Sequence, residues 1–92
     1  MAEIIIPTPL RKFAQDQASI KVEGSDVQSA IEDLVKQFPD LEKQIFDADG
    51  KIKRFIRIYK GEEDIESLDN EKTAVEAETI ISIIPAIAGG RG

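Results

Sequence analysis

The chain has 92 residues, 41% of them hydrophobic, with few glycines and prolines, which bounds it to one small domain with a single core and argues against disorder. A net charge of −6 disfavours nucleic acid and anionic membrane surfaces, which repel an acidic protein at long range, and favours basic partner surfaces. Cysteine and histidine are both absent, so disulfides, thiol nucleophiles, the commonest metal ligand and the commonest general base are excluded, and neither self-contained catalysis nor a bound metal is expected.

Glu3-Ile4-Ile5-Ile6 is short and β-branched and is closed by Pro7-Thr8-Pro9, which cannot continue a central ladder; it reads as a first strand and a turn. Leu10 and Phe13 supply apolar anchors in the connection, and Ala18 to Glu23 alternates as a second strand before Gly24, giving a hairpin. Ser25 is then expected as N-cap, with Gln28 completing a capping box and Asp26 placing negative charge at the helix N-terminus. Val27, Ala30, Ile31, Leu34, Val35 and Phe38 recur at helical spacing on one face until Pro39 stops the run.

Leu41, Ile45 and Phe46 suggest another short helical turn, ending at the Asp47-Ala48-Asp49-Gly50 turn signal. Calcium binding of the EF-hand kind fails on spacing there, because aligning Gly50 with the loop glycine puts Ile45 and Ile56 at ligand positions. Lys53 to Tyr59 alternates as a strand in the sheet interior, with Ile56 and Ile58 on one face and Phe55, Arg57 and Tyr59 on the other. Residues 61–78 are acidic and turn-rich with Ile65, Leu68 and Val75 as apolar pins, and Thr79 to Ile84 forms a last strand. The order describes an α+β fold of β-grasp (ubiquitin-like) type: a mixed sheet of four to five strands covered by one main helix, with first and last strands parallel and a right-handed crossover. Periodicity alone leaves a ferredoxin-like or other small α+β fold open. The expected division is a β-grasp domain over 1–85 and a flexible tail over 86–92.

That tail, Ala86-Ile87-Ala88-Gly89-Gly90-Arg91-Gly92, is almost free of side chains beyond its isoleucine and arginine. Gly-Gly lets a backbone pass a narrow passage and approach a bound nucleotide, at the highest entropic cost of ordering; the alternative is a frayed terminus. No run approaches the roughly 20 apolar residues of a membrane span, and no basic region precedes an apolar one near residue 1, so a cytoplasmic, soluble protein is expected.

Ile-Pro-Thr-Pro-Leu-Arg (6–11), the helix opened by Ser25, Arg54-Phe55-Ile56-Arg57-Ile58-Tyr59 followed by Glu63-Asp64-Ile65, and Ile81-Ser82-Ile83-Ile84-Pro85-Ala86-Ile87-Ala88-Gly89-Gly90 resemble the ubiquitin-like sulfur-carrier proteins of the MoaD/ThiS family, in its longer CysO-like branch. The likeness runs nearly end to end, and the terminal block is its specific part. It implies chemistry at a backbone carboxylate. A partner adenylating enzyme of the ubiquitin-activating-like family uses Mg-ATP to convert the C-terminal glycine to an acyl-adenylate, sulfur displaces AMP, and the thiocarboxylate feeds a sulfur-acceptor biosynthetic enzyme. The carrier itself is not an enzyme and binds no cofactor. By the same resemblance Gly90 bears the sulfur, with Gly89, Ala88 and Ile87 threading into the partner.

Here the sequence departs from the family pattern, because Arg91-Gly92 follows Gly90 and holds its carbonyl in an amide. Three accounts are open: a protease, of the zinc metalloprotease kind, cuts between Gly90 and Arg91; the two residues are foreign to the natural chain; or Gly92 is activated. The turn Glu76-Ala77-Glu78-Thr79 also replaces the family's Asp-Gly-Asp type. Cysteine or homocysteine formation is the favoured destination of the sulfur. Alternatives are a molybdopterin synthase small subunit, a ubiquitin-like modifier joined to lysines, and a binding module whose tail does no chemistry.

Phe55, Arg57 and Tyr59, with alternate residues of the last strand such as Ile84, form the candidate partner surface. The last strand carries isoleucine at 80, 81, 83 and 84, so its parity is ambiguous, and residues 61–78 covering the excess is the competing reading. The acidic residues from Glu62 to Glu78 read as a solvated face, and the basic run from Lys51 to Lys60 does not amount to a nucleic-acid site on an acidic chain.

Overall fold

The computed structural model describes residues 1–85. Strands β1 (Ala2–Ile5), β2 (Ser19–Val22), β3 (Ile56–Lys60), β4 (Glu63–Asp64) and β5 (Ile80–Pro85) form one mixed sheet in the order β2-β1-β5-β3-β4. Helix α1 (Val27–Gln37) follows β2, and a single-turn helix α2 (Glu42–Ile45) follows it. β1 and β5 run side by side in parallel, with Ile4 opposite Ile81, while β1–β2, β3–β5 and β3–β4 are antiparallel. This is the β-grasp arrangement, and it sets aside the ferredoxin-like alternative.

The core is aliphatic. Ile4, Ile81, Ile83, Ile56 and Ile58 project from the inner face of the sheet onto Val27, Ala30, Ile31 and Leu34 of α1, all of them buried. Val35 and Phe38, at the margin of the helical stripe, are only partly buried. Leu41 and Ile45, on and beside α2, close one end of the core and are fully buried. Within residues 61–78, Ile65 and Val75 insert into the core as anticipated, and Leu68 stays half-buried. The segment is fastened to the start of α1, where the Val27 N–H donates to the Thr73 carbonyl (3.0 Å) and the Val75 N–H to the Ser25 carbonyl (2.9 Å).

Two expectations are corrected. The N-cap is Asp26, not Ser25: the Ser29 N–H donates to Asp26 Oδ1 (2.8 Å), and the Asp26 N–H donates back to Ser29 Oγ (3.2 Å), so Ser29 takes the role expected of Gln28. Asp26 prevails because its backbone is extended (φ −144°, ψ 174°) and its carboxylate is the stronger acceptor. β3 starts at Ile56, not Lys53, because the Ile56 N–H donates to the Lys53 carbonyl (3.0 Å) and closes a turn where the alternation suggested strand. Smaller shifts of one residue affect the ends of β1, β2 and β5. Among the described residues no helix is long and apolar enough to cross a membrane.

Candidate functional site

β5 lies in the middle of the sheet, hydrogen-bonded to β1 on one side and β3 on the other, so the chain reaches Pro85 from its most constrained strand. The parallel pairing of Ile4 with Ile81 resolves the parity of β5. Ile81 and Ile83 face the core, and Ile80, Ser82 and Ile84 face outward. Ile84 is 47% exposed and Ile80 40% exposed, so residues 61–78 do not cover the outer face.

Two cross-strand rows organise that face. Tyr59, Ser82 and Ile5 form one, and Arg57 and Ile84 stand opposite each other in the next, one residue before Pro85. The Arg57 guanidinium donates from Nη1 to Asp64 Oδ2 and to Glu66 Oε1, each at 3.2 Å. These exposed pairs contribute little stability and draw the guanidinium toward β4, on the side of β3 away from Ile84, so that the apolar strip has a charged rim. Of the expected partner-surface residues, the fold thus brings together Arg57, Tyr59 and Ile84. Phe55 is separated from them: it precedes β3, is half exposed, and lines a groove of about 250 Å³ with Pro9, Leu10, Phe13, Ile56 and Pro85. Gly90, Gly89, Ala88, Ile87 and Arg91 lie outside the described residues.

The sequence places Ile5 in the first strand and makes Leu10 and Phe13 apolar anchors, but it assigns neither Ile5 nor the wall formed by Pro9 to Phe13 to the site. The paired Lys12-Phe13 and Lys53-x-Phe55 were the available signals. The carboxylates with partners serve structure. Asp47 Oδ1 accepts from the Asp49 and Lys51 N–H groups and shapes the turn once weighed for calcium. Asp26 has its pKa lowered, first by the Ser29 backbone N–H and then by the Ser29 hydroxyl; slight burial opposes them, and the Lys72 charge adds the smallest lowering. That is the signature of a helix cap. Among the described residues, no group of three or more acidic side chains could hold a metal ion.

The β-grasp topology, with the parallel β1–β5 pair at the centre of the sheet, defines a ubiquitin-like protein. The chain belongs to the ThiS family, whose model matches residues 4–90. It is 32% identical over 89 residues to the sulfur carrier protein CysO of Mycobacterium tuberculosis, covering 95% of this chain and 96% of the relative. The crystal structure of M. tuberculosis CysO superposes with a TM-score of 0.86 at 28% identity, covering 95% of this chain and 100% of that one. A chain in the crystal structure of the Amycolatopsis orientalis BexX/CysO complex gives a TM-score of 0.88 at 27% identity, covering 98% and 100%.

Proposed function

We propose that this chain is a sulfur carrier whose working group is the carboxylate of Gly90, freed by proteolysis of the Gly90–Arg91 bond. The observation that carries the reading is the extent of the family match, which ends at Gly90 and leaves Arg91-Gly92 beyond it. Relatives of nearly the same length are named sulfur carrier proteins, which supports the same reading.

Hydrolysis of the Gly90–Arg91 amide, by a zinc metalloprotease in this reading, releases Arg-Gly and leaves a carboxylate. A carboxylate is a poor electrophile because its charge is delocalised and its leaving group would be oxide. An adenylating partner transfers AMP from Mg-ATP to that oxygen, releasing pyrophosphate. Sulfide then displaces AMP to leave the thiocarboxylate; where the donor is a persulfide, its outer sulfur displaces AMP to give an acyl disulfide, and a second thiol cleaves that S–S bond, releasing the thiocarboxylate and leaving a disulfide on the donor. The chain contributes no acid, base or nucleophile; its residues position. The sheet holds Pro85 at a fixed place, the Gly89-Gly90 pair lacks the side chains that would block a narrow channel, and the Arg57, Tyr59 and Ile84 strip supplies the contact that sets the tail's direction. Sulfur delivery to an amino-acid-forming enzyme, of cysteine or homocysteine type, is the favoured destination.

The test is ATP–pyrophosphate exchange by the activating enzyme of the same cell. Chain ending at Gly90 supports exchange, whereas chain ending at Gly89 and the uncut 92-residue chain do not; equal exchange by all three overturns the proposal.

A further inference from the structure

The groove beside Pro85 departs from the charge of the rest of the molecule. The chain has 18 acidic residues against 12 basic ones, yet the groove is lined by two lysines and no carboxylate. Lys12 Nζ sits 5.3 Å from the centroid of the Phe13 ring, and Lys53 Nζ sits 5.6 Å from that of Phe55. Neither lysine makes an ion pair among the described residues. Two ammonium groups are therefore held over aromatic faces at the edge of an apolar cleft, with their Coulombic attraction unspent on the protein's own carboxylates.

We infer that this groove receives a segment of the activating partner in which an apolar side chain is flanked by aspartate or glutamate. The apolar side chain would fill the space between Leu10, Phe13, Phe55 and Pro85, and the carboxylates would meet Lys12 and Lys53. Position argues for that partner. Pro85 lines the groove and is the last residue before the tail in sequence, so an enzyme that engages the tail works next to this cleft. The outer-face strip around Ile84 and this groove then lie on the two sides of the end of β5. The inference rests on the sulfur-carrier reading and adds to it the chemistry of the partner's contact.

The test is the KM for the carrier in ATP–pyrophosphate exchange, using chain ending at Gly90. The Lys12→Glu/Lys53→Glu double variant raises KM on the order of tenfold or more with kcat nearly unchanged, and Lys12→Arg/Lys53→Arg stays near wild type. Rising ionic strength raises the wild-type KM more steeply than that of a Lys12→Gln/Lys53→Gln variant. Lys36→Glu, a reversal on the exposed face of α1, serves as the control for general electrostatic steering and leaves KM unchanged. Exchange by wild-type chain with an unaltered KM in the double reversal, or an effect of Lys36→Glu equal to that of Lys12→Glu or Lys53→Glu made singly, overturns this inference alone. No exchange by the wild-type chain overturns the sulfur-carrier reading and this inference with it.

Discussion

Arg57 stands directly opposite Ile84 across the β3–β5 ladder, on the sheet face that α1 leaves uncovered. Ile84 is nearly half exposed in the central strand of the sheet, while the Arg57 guanidinium is held by Asp64 and Glu66 on the β4 side. An exposed isoleucine in a central strand adds nothing to this protein's core, and its position one residue before Pro85 ties it to the tail.

Ile84→Thr is accordingly expected to separate stability from partner recognition. Threonine keeps the β-branched shape and removes one exposed apolar surface, so the change in unfolding free energy stays within about 0.5 kcal/mol. Exchange catalysed by the activating enzyme loses about tenfold in kcat/KM, as for a contact near the centre of an interface. A variant that loses stability but not exchange would mark Ile84 as structural.

The Asp26–Ser29 capping box makes a prediction about acid. The folded-state pKa of Asp26 is lowered from its usual 3.8, chiefly by the Ser29 N–H, so folding favours the charged carboxylate. Its contribution is complete above the unfolded value and is lost as pH falls through the folded one, which places the effect below about pH 4. Asp26→Ala costs about 1 kcal/mol at neutral pH. Asp26→Asn keeps a capping oxygen and flattens the dependence below about pH 4, as urea unfolding across pH will show.

Gly24 is required by a close approach. A Cβ placed there would lie 2.6 Å from the Ala30 nitrogen and 2.9 Å from its Cα, both backbone atoms of α1 that cannot turn aside. Gly24→Ala is expected to cost about 1–3 kcal/mol, read as a lower urea midpoint at unchanged m-value.

Ile81 tests the junction of the two parallel strands. It is fully buried opposite Ile4, and truncation to alanine removes three carbons from the centre of the core. Ile81→Ala should cost about 2–5 kcal/mol and Ile81→Val about 1 kcal/mol. A domain of this size has only about 5–14 kcal/mol in total, so thermal unfolding of the alanine variant should begin far earlier.

The parts of this fold written locally were legible, and those decided by distant contacts were not. The α1 stripe, the Pro7 and Pro39 stops and the order of strands follow from spacing and backbone chemistry within each segment. Ser25 and Asp26 are adjacent residues that both favour the N-cap, each with a hydrogen-bonding residue three positions on, and the extended backbone and stronger acceptor at 26 separate them. Isoleucines at 80, 81, 83 and 84 satisfy either parity, and the choice comes from Ile4 pairing with Ile81 across the chain's length. Phe55 was grouped with Arg57 and Tyr59 by alternation, but the turn closed at Lys53 and Ile56 breaks the alternation and turns Phe55 toward the Pro9 to Phe13 wall. The groove was out of reach for that reason: its walls come from segments far apart in sequence.

The most direct test of the central claim is the intact mass of this protein isolated from its own cells during sulfur-demanding growth. The account predicts chains ending at Gly90, a fraction of them carrying sulfur in place of one carboxylate oxygen. A single species ending at Gly92, with no sulfur added, would contradict it.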